Sequence, residues 1–378
     1  MARLVISTVG TSVLTNQIDP EIDDNYYKRL QQTANYTDNE IQDDPTIKEI
    51  ISELKERAEQ ELSSNNTDKI RKASAELNGI YGLYNEQIEQ GIPDMHLLVT
   101  TDTAQGRVSA EVVESFLKSK GLTNISTHAQ PGLSTASSDI FVEGMAKLIP
   151  SMQEIIKDCK NSRYTICFNL VGGFKALQGY FNTIGMFYAD EIIYVFEGSN
   201  QLIKIPKLPV KVDVSEIEPY KVQLAMMEVG EIRTSWEEAK KVPQEWILVD
   251  GQEMTLSAWG ELLWEQCKKE LLSKEKPLQF PKLEYHQSFL DDYEAKPAHE
   301  KIILQEYLAR AACLLKNHRD GISAMRQDGI FRLRRYVGQH QDIDHFDLPK
   351  GRRVSCIARE GTLYLRHYGE HDYVNNNP

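Results

Sequence analysis

The chain has 378 residues, of which 41% are hydrophobic and 26% charged, and its formal net charge is −13. This composition indicates a globular protein of two or three domains and excludes a fibrous repeat and wholesale disorder. No apolar stretch approaches the roughly 18 residues of a membrane span and no secretory signal is recognisable, so we expect a cytoplasmic protein. The five cysteines are scattered without a CxxC pair, which favours neither a disulfide framework nor a zinc site.

The acidic average conceals a basic region near the C-terminus. Between Arg326 and Arg366 there are 9 basic and 5 acidic residues. Because affinity for nucleic acid depends largely on Lys and Arg, this asymmetry predicts separate functions for the two ends of the chain.

Residues 1–210 have the alternating pattern of an α/β fold. The apolar, β-branched run from Arg3 to Val9 predicts a buried parallel strand, and the polar, helically spaced segment from Asp19 to Gly91 predicts a helical insertion after it. The later predicted elements are the strand 96–100, the helix 105–120, the strand 124–128, the helix 139–159, the strand 164–171, the helix 174–188 and the strand 191–198. In QLIKIPKLPVKVDV, Pro206 and Pro209 favour an edge strand that leads into an exit linker. Together they predict a Rossmann-like, mostly parallel sheet.

Residues 211–280 mix helical signatures with short apolar pieces, so we predict a mostly helical connecting module. All four tryptophans lie here, and both core packing and an exposed docking surface are open interpretations of them. These residues are Trp236, Trp246, Trp259 and Trp264.

Residues 281–378 predict a small α+β unit with an antiparallel sheet. The segment starts with a candidate strand, LEYHQSFL, and continues through two helical stretches that end near His318. Three alternating runs follow, FRLRRY, RRVSCIA and TLYLRHY, and predict the remaining strands. The residues from Gly338 to Lys350 are interpreted as a polar connection.

Three polar loops follow predicted strands of the first domain. They are Gly10-Thr11-Ser12, the Thr100–Thr103 loop with Gln105-Gly106, and NLVGGFK (Asn169–Lys175). In the last of these, Gly172 and Gly173 allow backbone amides to approach a phosphate at a helix start, and Lys175 adds positive charge. No GxGxxG or Walker loop is present, which disfavours a dinucleotide cofactor and an ordinary NTPase. Each loop alone is compatible with a tight turn, but together they predict an anion pocket.

The segments VISTVGTSVLTN, LVTTDTAQG and FNLVGGFKALQGYFNTIGMFYADEIIYVFEG resemble the CARF domains of type III CRISPR ancillary effectors. The resemblance covers about residues 1–210 and implies a homodimer whose paired loops bind a cyclic oligoadenylate. We expect the ring to be cyclic tetra-adenylate, since its two-fold symmetry matches that of a dimer. The implied ligand-binding residues are Gly10, Thr11, Ser12, Thr101, Asp102, Asn169, Gly172, Gly173 and Lys175. Some relatives also cleave their ligand, so ring-nuclease activity through Lys175, Thr11 and Ser12 stays open.

Arginines recur on the predicted strands of the C-terminal segment. Because residues i and i+2 share a strand face, Arg332 and Arg334 are predicted to project to the same side. If that side is open it forms a phosphate clamp, and the ordinary alternative is a set of solvated arginines on a sheet. The arginines of the later strands are Arg352, Arg353 and Arg366.

The segments LEYHQSFLDDYEAK, GIFRLRRY, GRRVSCIA and TLYLRHYGEHDYV resemble the RelE family of messenger-RNA interferase toxins. The resemblance implies a metal-independent endoribonuclease that cuts mRNA in the ribosomal A site and leaves a 2′,3′-cyclic phosphate. The expected catalytic residues are Arg332, Arg334, Arg353, His371 and Tyr373. The arginines, always protonated, would stabilise charge on the phosphorane. His371 is the expected general acid or base, with His367 as the alternative, and Tyr373 would stack on a base or share the proton transfer.

The sequence therefore predicts an endoribonuclease of type III CRISPR antiviral defence that cyclic oligoadenylate activates, with mRNA and the ribosome as partners. It predicts no metal and no cofactor besides the allosteric ligand. Two alternatives stay open: a ribosome-independent RNase and a non-enzymatic, ligand-dependent regulator. For the first, the RxxxxH spacing of HEPN nucleases fits Arg335–His340 and Arg366–His371, although both lie in or beside strand patterns.

Overall fold

The computed structural model describes residues 2–196, 200–337 and 340–378. The chain divides into two compact units, residues 1–210 and 211–378. Helices and strands, both parallel and antiparallel, build it, which confirms the α/β class. The last residues of the predicted strand 191–198 and the start of the predicted connection 338–350 lie outside the described residues.

The first unit is a six-stranded sheet with flanking helices. Its elements are β1 (Arg3–Thr8), α1 (Ser12–Thr15), α2 (Tyr26–Gln32), α3 (Asp38–Gln42), α4 (Pro45–Ser63), α5 (Thr67–Ala73), α6 (Ala75–Leu83), β2 (Met95–Thr100), α7 (Ala104–Ser119), β3 (Ile125–Ala129), α8 (Ser138–Asn161), β4 (Thr165–Asn169), α9 (Lys175–Tyr188), β5 (Glu191–Val195) and β6 (Leu202–Pro206). The strand order is β3-β2-β1-β4-β5-β6. All neighbours run parallel except β6, which is antiparallel to β5 at one edge.

The strand β1 is buried on both faces, which is why an apolar run in the sequence predicts it. Leu4, Val5 and Ile6 are all fully buried, as expected for a central parallel strand covered on both faces. The insertion predicted between Asp19 and Gly91 is helical, comprising α2 to α6. Every strand and helix predicted in the first unit is present within a few residues of its expected bounds.

The strand order reverses direction at β1. From β1 the chain places β2 and β3 on one side, and then β4 to β6 on the other. In open sheets of this kind, the crevice beyond the carboxyl ends of the two strands at the reversal is the usual ligand site. The loops after β1 and β4 are the two loops that border this crevice.

The second unit contains two sheets. Its elements are α10 (Val214–Ile217), α11 (Lys221–Val229), β7 (Ile232–Arg233), β8 (Ile247–Asp250), β9 (Glu253–Leu256), α12 (Ala258–Leu272), β10 (Leu283–Tyr285), α13 (Gln287–Glu294), α14 (Ala298–Asn317), α15 (Gly321–Gln327), β11 (Arg334–Arg335), β12 (Asp344–Leu348), β13 (Arg352–Arg359), β14 (Thr362–Glu370) and α16 (His371–Asn376). The small sheet has the order β7-β9-β8 and the larger one β10-β14-β13-β12-β11. In the larger sheet β10 is parallel to β14 and the other pairs are antiparallel.

One hydrophobic core runs through the whole second unit. It includes residues of the predicted connecting module, such as Trp264, and residues of the C-terminal sheet, such as Phe346. Trp264 is fully buried and donates its indole N–H to Glu228 at 2.6 Å. Trp236 and Trp246 are partly buried against the same core, which favours packing over docking for these three tryptophans.

Two features of the second unit differ from the sequence prediction. The predicted polar connection between Gly338 and Lys350 contains a strand, β12, which pairs with β11 and β13 and so separates them. The predicted helical module contains the small sheet β7-β9-β8. Both were missed because their strands are two to five residues long, too short for a periodic pattern, and β12 carries two aspartates, which are rare in strands.

Within the described residues, none of the helices combines the length and apolarity that crossing a membrane requires. All five cysteines are buried and unpaired.

Candidate functional sites

The first candidate site is the crevice between the loops after β1 and β4. Thr8 donates its hydroxyl hydrogen to the carbonyl oxygen of Gly172 at 2.5 Å. A Cβ atom on Gly10 would approach the Gly173 backbone to 3.0 Å, and Gly173 itself has φ +101°. Glycine is therefore required at both positions, and the two predicted loops lie in direct contact.

A buried glutamate of α6 holds the first loop by hydrogen bonds. Glu76, at the start of α6, is 0% exposed and accepts hydrogen bonds from the Gly10 amide at 2.8 Å and the Ser12 hydroxyl at 2.9 Å. Ser74, which caps α6, also donates its hydroxyl to this carboxylate at 2.7 Å. Sequence reasoning missed Glu76 because it lies in an acidic helical insertion, where one more glutamate gives no signal.

Asn169, predicted as a ligand contact, is also fully buried. Its amide nitrogen donates to the Ser7 hydroxyl at 3.1 Å and to the Glu76 carbonyl oxygen at 3.0 Å. A Cβ on Gly79 would lie 2.1 Å from the Asn169 amide oxygen, so α6 packs directly against this side chain. Asn169 therefore ties β4 to β1 and α6.

The polar side chains of the loop after β2 form hydrogen bonds and an ion pair with other residues of unit 1. Thr101 is fully buried and its hydroxyl lies 3.0 Å from that of Thr103, which caps α7. Asp102 accepts a hydrogen bond from the Gly132 amide at 2.9 Å and pairs with Arg107. Burial would raise the pKa of Asp102, but these hydrogen bonds outweigh it and hold the pKa below its ordinary value.

Lys175 and the start of α9 form the open side of the first site. Lys175 is exposed, and no ion pair connects it to another of the described residues. It begins a 14-residue helix whose N-cap, Phe174, supplies no side-chain hydrogen bond. The first amides of α9 and the lysine charge are thus available to an anion beside Gly172 and Gly173.

The second candidate site is one face of the larger sheet. The register places Arg334 opposite His345, His345 opposite Ser355, and Asp347 opposite Arg353. Because paired residues in a sheet project to the same face, these five side chains share one side. Two of the arginines predicted on separate strands, Arg334 and Arg353, therefore lie on the same face, with β12 between them.

Asp347 joins the two arginines. Its carboxylate accepts from Arg334 at 2.8 Å and from the Nε atom of Arg353 at 2.7 Å. Burial would raise the pKa of Asp347, but the hydrogen bond and charge of Arg353 and the charge of Arg334 outweigh it and lower the pKa. Arg334 is largely exposed, whereas Arg353 is 7% exposed and held rigidly.

His345 lies between these charges. Its ring centroid is 4.3 Å from that of Tyr336, and the residue is 8% exposed. Burial, followed by the positive charge of Arg353, lowers its pKa to about 4, so the imidazole is neutral near pH 7. Neither its Nδ1 atom nor the Ser355 hydroxyl has a hydrogen-bond partner among the described residues.

The C-terminal helix α16 brings His371 to this network. Asn375 accepts hydrogen bonds from Arg353 at 2.5 Å and from the Tyr336 hydroxyl at 3.0 Å. The Asn375 amide nitrogen lies 3.1 Å from Nδ1 of His371, whose side chain is half exposed. The predicted residues Arg334, Arg353 and His371 are thus connected through Asp347 and Asn375.

Tyr373 and His367 belong to a neighbouring cluster around Asp292 of α13. The Tyr373 hydroxyl donates to Asp292 at 2.8 Å, and Nδ1 of His367 lies 2.9 Å from the other oxygen of the same carboxylate. The hydrogen bond to Asp292, followed by burial, raises the pKa of Tyr373. The Tyr373 ring packs on Gly369, since a Cβ there would approach it to 2.8 Å.

Arg332 does not join the cluster as predicted. It precedes β11, adopts φ +46° and donates from Nε to the carbonyl oxygen of Gly329 at 3.1 Å. The prediction that Arg332 and Arg334 share a strand face is therefore wrong, because a residue with positive φ breaks the alternation of the strand.

Sequence reasoning missed Asp347, His345, Tyr336 and Asn375 of this site, and Asp292 of the neighbouring cluster. The alternation of Phe346 and Leu348 with Asp347 is a signal too short to predict a strand. The alternate residues of β12, Asp344, Phe346 and Leu348, are buried, as one face of a strand requires.

Within the residues that the structure describes, no cluster of three or more His, Cys, Asp or Glu side chains could hold a metal ion. Residues 71–208 match the model of a protein family described as CRISPR-associated protein (Cas_APE2256). The match runs from α5 to just beyond β6 and includes Glu76 and the second loop. It supports a CRISPR-associated protein.

Proposed function

We propose that the chain is a ribonuclease of CRISPR defence that a cyclic oligoadenylate, most simply cyclic tetra-adenylate, activates. The proposal rests on the CRISPR-associated family match, the contact between the loops of Gly10 and Gly173, and the resemblance of unit 1 to CARF domains. Phosphates of the ring would bind at the start of α9 beside Lys175. A homodimer would supply a second copy of each loop to the two-fold symmetric ring.

The ribonuclease function rests on one observation above all: Arg334 and Arg353 project from one sheet face and connect to His371. Two guanidinium groups on a rigid sheet match a phosphodiester whose negative charge increases in the transition state. Asp347 keeps both arginines in place, and the His371 side chain is half exposed beside them. This arrangement supports the resemblance to RelE nucleases.

The proposed reaction is transesterification within the RNA. The 2′-oxygen of a ribose bonds to the adjacent phosphorus while the bond from phosphorus to the 5′-oxygen breaks. The 2′-hydroxyl loses its proton to a base and the 5′-oxygen takes up a proton from an acid, with His371 serving one of these roles. Arg334 and Arg353 stabilise the charge on the pentacoordinate phosphorus, and the products are a 2′,3′-cyclic phosphate and a 5′-hydroxyl.

The test uses purified full-length protein with programmed ribosomes or with free RNA of the same sequence. Cyclic tri-, tetra- and hexa-adenylate are added separately, cuts are mapped by primer extension and product ends are identified by mass spectrometry. We expect cuts in the ribosomal A site with one ring size. Cuts in free RNA would instead support the ribosome-independent RNase, and no cutting at all would leave a ligand-dependent regulator.

Ring-nuclease activity of unit 1 stays a prediction. Incubating cyclic tetra-adenylate with the protein and separating the products by chromatography checks it, with Lys175→Ala as the comparison.

A further inference from the structure

Glu76, which the sequence did not single out, contacts both candidate ligand loops. Its carboxylate accepts from Gly10, Ser12 and Ser74, and a Cβ on Gly172 would lie 2.0 Å from its Oε1 atom. It thus touches both loops while being 0% exposed. A buried carboxylate with three donors has the position and the hydrogen-bond partners of a bound anion.

The hydrogen bond to Glu76 determines what the Ser12 hydroxyl can offer to a ligand. A hydroxyl group has one hydrogen to donate and two lone pairs. The Ser12 hydrogen goes to Glu76 at 2.9 Å, and one lone pair accepts from the Ala75 amide at 3.0 Å. Ser12 is half-buried and therefore offers the crevice only its second lone pair.

We propose that Glu76 is a positioning residue that holds the first loop as an internal anion and makes Ser12 a hydrogen-bond acceptor for a ribose 2′-hydroxyl. This inference rests on the proposed cyclic oligoadenylate ligand. The Gly10 amide already donates to Glu76 and is not available to a phosphate, so a phosphate is disfavoured there. Phosphate instead binds on the side of Gly173 and Lys175.

The choice of the 2′-hydroxyl follows from the spacing of the loops. The Gly10 and Gly173 backbones are in contact, so a group bound by the first loop is a close neighbour of a phosphate bound by the second. In a 3′,5′-linked oligonucleotide the 2′-hydroxyl is the donor next to the phosphate, whereas the adenine amino group lies at the far end of the base. The 2′-hydroxyl is also the group that distinguishes RNA from DNA.

The test measures binding of full-length protein to cyclic tetra-adenylate and to its all-2′-deoxy analogue by calorimetry. We expect wild-type protein to bind the ribose ring at least about tenfold more tightly, because the proposed homodimer supplies two such hydrogen bonds to one ring. Ser12→Ala is expected to bind both rings within threefold of each other. Ser63→Ala, which alters an exposed serine at the end of α4, is the matched control and should keep the tenfold preference.

Glu76→Gln separates positioning from simple structural support. The amide is nearly isosteric but has one oxygen and one NH2 group. Because the Gly10 amide is part of the backbone and cannot turn away, the amide oxygen stays towards Gly10 and the NH2 group faces the Ser12 and Ser74 hydroxyls. The Ser12 hydrogen then loses its acceptor and is no longer fixed. We expect the ribose preference to fall below threefold, with Glu76→Asp restoring part of it. Melting temperatures of all variants establish that each is folded.

Retention of the wild-type preference by Ser12→Ala or by folded Glu76→Gln would overturn the inference. Equal binding of both rings by wild-type protein would overturn it as well, while leaving the proposed ligand intact. Binding of neither ring by wild-type protein would overturn the proposed ligand, and this inference with it.

Discussion

At the scale of single residues, Arg353 is the most constrained member of the candidate nuclease site. Two of its nitrogens bind Asp347 and a third binds Asn375, so the guanidinium plane is fixed in the face of the sheet. A lysine cannot reproduce this planar set of donors.

We therefore predict that Arg353→Lys lowers the single-turnover cleavage rate by about 10²–10³, the usual cost of one electrostatic stabiliser. Arg359→Lys is the matched control, since Arg359 is exposed near the other end of the same strand. Binding of cyclic tetra-adenylate is expected to stay the same in both variants. A rate within twofold of wild type for folded Arg353→Lys would refute its role.

His371 gives a second prediction at this scale. If it exchanges a proton during cleavage, His371→Ala should lower the rate by about 10²–10⁴ and remove one limb of the pH–rate profile. A protein that only binds RNA would tolerate the change. His299→Ala, which alters another exposed histidine of the same unit, is the control and should keep the wild-type profile.

At the scale of elements, β12 is the strand that holds the candidate nuclease site together. It lies between β11 and β13, contributes His345 and Asp347 to the site, and anchors itself through Phe346. Phe346 is fully buried and makes an edge contact with Phe331, with ring centroids 5.4 Å apart.

Phe346→Ala should therefore cost about 3–5 kcal/mol of unfolding free energy, measured by chemical denaturation of unit 2 signals such as tryptophan fluorescence. All four tryptophans belong to that unit. Val337→Ala, at a side chain 94% exposed, should change the free energy by less than about 0.5 kcal/mol. A loss below about 1 kcal/mol for Phe346→Ala would contradict the packing of β12.

The elements also explain what the sequence could and could not predict. Strands buried on both faces contain continuous apolar runs, such as Leu4-Val5-Ile6 of β1, so the parallel sheet and its two loops were predictable. The pattern DHFDL has no such run, and β12 was therefore missed. Glu76 and Asn375 could not be found from spacing, because the loops that each contacts are brought to it only by the folded sheet.

At the scale of the whole molecule, acid stability is linked to a buried histidine of β2, which lies between β1 and β3. His96 is 0% exposed, and burial lowers its pKa to about 4, with Asp94 opposing the shift. Tyr84 donates its hydroxyl to Asp94 at 2.8 Å and so accepts from Nε2 of His96 at 3.1 Å. The folded protein thus holds His96 neutral, while the unfolded chain protonates it below about pH 6.5.

Between about pH 4 and pH 6.5 the unfolded chain binds a proton at His96 that the folded protein does not bind. Protonation therefore favours unfolding in this range, so the unfolding free energy is highest above about pH 6.5 and falls as the pH is lowered towards 4. We predict that His96→Gln makes unfolding free energy less dependent on pH in this window, by up to about 1.4 kcal/mol per pH unit. Denaturant titrations at a series of pH values measure it. Identical slopes for the two proteins would contradict a neutral, buried His96.

The central claim is that ligand binding in one unit controls RNA cleavage by the other. Its most direct test is the cleavage rate of ribosome-bound mRNA by the full-length protein with saturating cyclic tetra-adenylate and without it, with Arg353→Lys as the inactive reference. A ligand controls activity only as far as it favours the active state, and couplings of this kind usually amount to about 5–150-fold. We predict a rise in rate of at least tenfold on adding the ring, and an equal rate with and without it would contradict the account.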